Sequence, residues 1–336
     1  METKQEQMPV LKFPTTAMLV DDEQVLLDNL ALYLEKKIPV LTFSKPQDAL
    51  RYLQKQEALD EKLRKMCFKK ISGVEFDVAE ETALIQCDYL ALSSLLYEPE
   101  RFSTIAVALI DYGMPKMNGL EFCRKIKDKL IRKIMLTGKA DTKLAVKAFN
   151  QKIIDQFILK DANEKIETDI YAALIKEQDI YFKNSSSLLF PQSTKTTKAF
   201  LKMLEKFEID HKIIEWYQFD QQGSRLGLDA DGKVYWLIVR LPEDMKKNLA
   251  FAEDNNASKV VVQALKNRTH ILFLFSEQEK RLSAKEWDKY IFPITGVIEG
   301  TTINYAIICD NFFSLNRKKI ISYNNYLQED SGRNRR

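Results

Sequence analysis

Residues 107–119 read VALIDYGMPKMNG. An apolar run closes on a carboxylate, Asp111, and the chain then turns through Gly113 and Pro115. A strand that ends on an acid has two readings. One is a solvated end; the other is an acid held where a ligand reaches it. The flanking segments bear on the choice. TTAMLVDD (15–22) is a short apolar run ending in Asp21 and Asp22, and the apolar residues at 26, 27, 30 and 34 follow at helical spacing. IPVLTFS (38–44) is strand-like, and KPQDALRYLQKQ (45–56) opens a helix with Pro in its first turn. STIAVALID, IRKIMLTG and IIDQFILK read as three more strands, each followed by a helical stretch. Five alternations of strand and helix predict a parallel sheet covered on both faces. Sites in such sheets form beyond the carboxyl ends of the strands, near the point where strand order reverses. Four of the five strands end in a polar signature: Asp21–Asp22, Asp111, Thr137 and Lys160. The second reading of Asp111 therefore has company.

Clustered carboxylates repel one another, and a divalent cation restores the balance. Carboxylate, carbonyl and water oxygens suit Mg²⁺. A carboxylate can also act as a nucleophile toward phosphorus, with the ammonium of Lys160 and a metal neutralising the phosphoryl oxygens. The residue types fit the formation and loss of an aspartyl phosphate.

The bulk properties narrow the class. The 336 residues suffice for two domains, and 45% hydrophobic with 29% charged is a globular composition. No run of about 18 apolar residues occurs, and the first residues lack a secretory pattern. Cys67, Cys87, Cys123 and Cys309 lie far apart and read as free thiols of a reducing compartment. These features predict a cytoplasmic protein without a membrane partner. Net charge is +3; the first 189 residues carry 28 Lys and Arg against 29 Asp and Glu, and the remainder 23 against 19. That is little for a strongly basic DNA-binding domain.

The motifs LVDDE (19–23), LIDYGMPKMNGLEF (109–122), MLTGKAD (135–141) and FILK (157–160) stand in an order that resembles the receiver domain of two-component response regulators. The resemblance covers about residues 15–183. It implies a flavodoxin-like (βα)5 fold with Asp111 as phosphoacceptor. It implies an acidic pocket of Asp21 and Asp22, and Mg²⁺ held by Asp22, Asp111 and the Gly113 carbonyl. Thr137 and Lys160 would contact the phosphoryl group, and Phe157 would be the aromatic switch. The implied partners are a sensor histidine kinase or phosphotransfer protein, and a second copy of the chain through the 141–183 face. Two departures stand out. Asp161 follows Lys160 where the family usually has Pro. Asp22 and Asp111 are 89 residues apart, about twice the family's spacing, and the excess falls at about 56–102. That insertion reads as mostly helical, either an arm packed on the domain or a partner surface.

Residues 184–197 read as a Ser/Thr-rich linker. Beyond them, 198–330 predict a smaller α+β output domain: a helix, an antiparallel meander through the turns QQG and ADG, two helices broken near Asn255, and further strands. LDADG lacks the later acids of a calcium loop and reads as a turn. His211 and His270 are isolated, and Trp216, Tyr217, Tyr235 and Trp236 read as core aromatics. The whole chain is similar to atypical bacterial response regulators with an uncharacterised output domain, among them the regulator of α-hydroxyketone quorum sensing. The resemblance implies control of gene expression or signalling, and no enzyme beyond the receiver's own phosphoryl chemistry. A nucleotide- or nucleic-acid-binding output and an enzymatic output are the alternatives.

Overall fold

The computed structural model describes residues 8–56, 58–70, 85–87, 89–138, 141–160, 165–189, 197–309, 313 and 315–333. The chain separates into two compact units. One comprises residues 12–86 and 99–191; the other comprises 1–11, 87–98 and 192–336. The chain therefore crosses from one unit to the other four times.

Strand β1, Leu11–Lys12, is met first, at an edge of the second unit's sheet. The first unit then contains β2 (Thr16–Val20), α1 (Gln24–Leu34), β3 (Val40–Phe43) and α2 (Pro46–Lys55). The insertion follows, with α3 (Leu59–Cys67), β4 (Phe68–Lys70), β5 (Ile85–Cys87) and 3-10 turns at 89–97 and 99–103. The core then resumes with β6 (Ile105–Asp111), α4 (Gly119–Lys125), β7 (Arg132–Thr137), α5 (Thr142–Asn150), β8 (Gln156–Leu159) and α6 (Ile166–Leu189). The five parallel strands lie in the order β3-β2-β6-β7-β8. This is the flavodoxin-like arrangement, and strand order reverses between β2 and β6. Both central strands are buried along their whole length, as expected of strands with helices on both faces. On α1, Leu27, Leu30 and Leu34 are the buried stripe. On α6, Ile170, Leu174 and Tyr181 play that part. An ion-pair network fastens α6 to the sheet. Arg132 holds Asp155 through Nη1 and the buried Glu177 through Nε, both at 2.7 Å.

Two expectations differ from the structure. The linker does not begin at 184, because α6 continues to Leu189. Ser185 donates to the Tyr181 carbonyl at 2.7 Å, and Ser185 and Ser186 are buried, so these serines close a helix instead of opening a loop. Residues 190–196 of the expected linker lie outside the described residues. The insertion also carries an element its sequence does not announce: beside the helical stretches at 59–67, 89–97 and 99–103, β4 and β5 pair as a two-stranded sheet, and residues 71–84 lie outside the described residues. Residues 87–98 group with the second unit, where Leu92, Leu95 and Leu96 are completely buried. Each such side chain contributes about 1.5–3 kcal/mol of burial. The Leu96 carbonyl accepts from Ile321 N–H at 3.3 Å, and the Tyr97 hydroxyl accepts from Asn316 N–H at 3.1 Å.

In the second unit, α7 (Lys198–Asp210) precedes a meander of β9 (Glu215–Gln218), β10 (Arg225–Leu228) and β11 (Val234–Arg240). Next come α8 (Pro242–Asp254), α9 (Lys259–Lys266), β12 (His270–Leu272), α10 (Glu277–Lys280), β13 (Ile291–Pro293), β14 (Gly296–Val297), β15 (Asn304–Cys309) and α11 (Tyr323–Arg333). The main sheet runs β1-β9-β10-β11-β15-β14, and β12 and β13 form a separate pair. Phe200, Leu204 and Phe207 of α7 pack on Tyr235, Leu237 and Val239. Trp216, Tyr217, Tyr235 and Trp236 are buried, as core aromatics should be. LDADG is a turn: Asp229 Oδ1 accepts from the N–H groups of Asp231 and Lys233, and Gly232 has φ +80°. The break between α8 and α9 falls at Asn255–Asn256, with Asn256 at φ +55°.

One glycine governs how closely α4 approaches the sheet. A Cβ on Gly119 would lie 2.3 Å from the Asp111 carbonyl oxygen and 2.9 Å from Met135 Sδ. The substitution Gly119→Ala is expected to destabilise the first unit by about 1–3 kcal/mol, read as a lowered urea midpoint for hydrogen exchange in β6 and β7. Unchanged protection would contradict the close packing.

Candidate functional site

The carboxyl ends of β2, β6 and β7 and the residue after β8 supply the site. Parallel register places Val20 opposite Ile110 and Asp111 opposite Leu136, while Lys160 N–H donates to the Thr137 carbonyl at 2.8 Å. Asp21, Asp111, Thr137 and Lys160 thus emerge at one edge of the sheet.

Lys160 Nζ lies 2.8 Å from Asp21 Oδ2 and 2.7 Å from Asp111 Oδ1. The remaining oxygens are met by backbone: Glu23 N–H donates to Asp21 Oδ1 at 2.9 Å, and Gly113 N–H donates to Asp111 Oδ2 at 2.6 Å. Each buried carboxylate therefore has one oxygen on an amide and the other on the shared ammonium. A Cβ on Gly113 would sit 3.3 Å from Asp111 Oδ2, so glycine leaves room beside the carboxylate. Asn118, whose side chain accepts from Glu121 N–H, starts α4 directly after this turn.

Electrostatics follow from burial. Desolvation holds the Asp21 carboxyl above its ordinary range, against the lowering hydrogen bonds from Lys160 and the Glu23 amide. Burial alone would pull the Lys160 ammonium down, but its hydrogen bonds to Asp111 and Asp21 outweigh it and raise the pKa. Asp22 is exposed, and a carboxylate oxygen from each of Asp21, Asp22 and Asp111 lies within 4.8 Å of the others. Three carboxyl groups face a single ammonium here, so the cluster holds more acids than cations. An all-oxygen donor set with that surplus fits a hard divalent cation.

Thr137 is fully buried, and its hydroxyl donates to the Gly138 carbonyl at 3.3 Å. Phe157 is half-buried on β8, opposite Met135, and packs on the core beneath the site. Residues 161–164, which include Asp161, lie outside the described residues. Sequence reasoning missed the close approach of Gly119 and the backbone donors of Glu23 and Gly113. The MNG ahead of a helix was the available signal for the first.

A divalent cation at this cluster should stabilise the folded chain. At a hundredfold excess of Mg²⁺ over its Kd the gain is about 2.7 kcal/mol, seen as a raised thermal midpoint at neutral pH. The rise should shrink in Asp22→Asn and in Asp111→Asn. An equal rise in all three proteins would place the cation elsewhere.

Comparison with known proteins bears on the family and the fold. The response regulator receiver domain family matches residues 90–171. That span contains Asp111, Thr137 and Lys160, while Asp21 and Asp22 lie ahead of it, across the insertion. No curated protein sequence matches significantly. The structure of the Legionella pneumophila response regulator LqsR is 30% identical, covers 96% of this chain and 96% of its own, and superimposes with a TM-score of 0.74. An adenylate cyclase from Rhodopirellula baltica (21% identical, 54% of this chain, 99% of its own, TM-score 0.37) and a CheY-like receiver domain protein from Methanospirillum hungatei JF-1 (18%, 51%, 98%, TM-score 0.34) are also similar, at a level that adds nothing further. Among the described residues no helix is long and apolar enough to cross a membrane. With a receiver-domain match over residues 90–171 and a 30% identical relative, LqsR, aligned over 96% of each chain, the chain belongs to the response regulators.

Proposed function

We propose that this response regulator is switched by phosphorylation of Asp111. The observation that carries the reading is the Lys160 ammonium held between the buried carboxylates of Asp21 and Asp111. A sensor histidine kinase or phosphotransfer protein is the donor. An oxygen of Asp111 attacks phosphorus; the new O–P bond forms as the bond from phosphorus to the donor imidazole nitrogen breaks, and the imidazole leaves with its proton. Lys160 moves its ammonium from the carboxylate to a phosphoryl oxygen, since the Asp111 carboxylate charge is consumed in forming the acyl phosphate, a mixed anhydride. Mg²⁺, held by Asp22, Asp111 and the Gly113 carbonyl, supplies further charge neutralisation when bound.

Thr137 is the natural reporter. Its hydroxyl exchanges the Gly138 carbonyl for a phosphoryl oxygen, and the half-buried Phe157 fills the space released. The response is a small change between two packings. It reaches the 141–183 face, where Leu144, Val146 and Phe149 of α5 are exposed at 45%, 41% and 48%. Homodimerisation through that face, with control of gene expression or signalling by the second unit, is the output we favour; quorum sensing is the setting implied by the sequence resemblance. A nucleic-acid-binding output draws support from Lys198, Lys202 and Lys206, exposed at successive turns of α7. Steep salt dependence of binding to generic DNA or RNA would favour it.

Wild type and Asp111→Asn, each with Mg²⁺ and acetyl phosphate, separate these steps. Wild type should take up phosphate and double its molar mass by light scattering, and the variant should do neither. Uptake by the variant would place the acceptor elsewhere. Uptake by wild type without doubling would remove the dimer from the account.

A further inference from the structure

The other end of the parallel sheet, where β6 and β7 begin, carries a cavity of about 380 Å³. Leu53 of α2, Leu59 of α3, and Ile126 and Leu130 of the α4–β7 connection supply apolar wall. Lys125, Lys127 and Lys129 line it too. Lys125, at the end of α4, and Lys127 and Lys129 of the connection are exposed, while Ile126 and Leu130 beside them are buried, so apolar wall and exposed cations come from the same stretch. Two acids also line the cavity. Asp128 is engaged through Oδ1 by the Leu130 N–H at 2.8 Å, and Glu61 is exposed on α3. The wall from Ala58 to Glu61 belongs to the insertion, which therefore closes the cavity on one side. The volume falls in the range of small-molecule sites, which combine apolar walls with a few polar groups.

We propose that this cavity binds a free, small amphipathic anion, with its apolar body against Leu53, Leu59 and Ile126 and its carboxylate or phosphate head on the lysine rim. Gln54, Gln56 and Thr104 also line the cavity, so its wall is mixed; the apolar part rewards an apolar body, and the polar part suits a ligand with a charged head. The three ammonium groups select the sign of the head. A bound molecule ties α3 to the α4–β7 connection, so the ligand bears on the start of the insertion, away from Asp111. The inference does not depend on phosphorylation.

Decanoate, decyl phosphate and decanol are suitable probes of the full chain by titration calorimetry, with hydrogen exchange to locate them. At least one anion should bind one to one and protect 58–63 and 125–131, with decanol weaker by roughly tenfold. The rim variant Lys127→Glu/Lys129→Glu should weaken the anion by roughly tenfold and leave decanol unchanged. Ala58→Trp, which fills the cavity from the insertion side, should abolish binding of all three. The two anions together report which head is preferred. Absence of saturable binding by either anion, decanol as tight as both, protection elsewhere, or binding unmoved by the variants would overturn the proposal.

Discussion

A single ammonium organises the first unit's site. Lys160, just past β8, reaches back to two carboxylates, Asp21 just past β2 and Asp111 at the end of β6. Without a cation between them, two buried acids at adjacent strand ends would repel and one would take up a proton. The parallel register sets this meeting, because a one-residue slip would turn the strand's side chains to the opposite face. The backbone donors at Glu23 and Gly113 fix the outer oxygens, so both acids are oriented before any ligand arrives.

The insertion shows what the sheet tolerates. It enters between α2 and β6, at the amino end of the strand that carries Asp111, and so leaves the carboxyl-end chemistry intact. Its far part, residues 87–98, groups with the second unit, as do residues 1–11. Two compact units are thus built from interleaved segments, and the chain between them is more than one terminal linker. A fully buried row of leucines at 92, 95 and 96 explains why an apolar stretch sits in what is otherwise an added segment.

The receiver fold and its acids were legible because strand alternation and strand-end polarity are local signals. VALID, LVDD, LTG and ILK each carry their own evidence, and the parallel pairing follows from the helices between them. What failed to show was tertiary. The serines after Phe182 resemble a linker in composition, yet burial and a carbonyl back-bond keep Ser185 and Ser186 in α6. HILFLFS (270–276) is apolar enough for a single long strand, but β12 ends at Leu272; Phe273 N–H makes one further bond, to the Tyr290 carbonyl at 2.9 Å, and the rings of Phe273 and Phe275 join the aromatic cluster around Trp236. The grouping of residues 87–98 depends on contacts with β9 far away in sequence, which no local pattern announces.

Chemical trapping tests the central claim most directly. The full chain would be incubated with Mg²⁺ and acetyl phosphate, reduced with borohydride, and digested for peptide mass mapping. Reduction converts an aspartyl phosphate to homoserine and marks its position. The account predicts homoserine at residue 111 and at no other acid. Homoserine at Asp21 or Asp22, or no conversion at all, would contradict it.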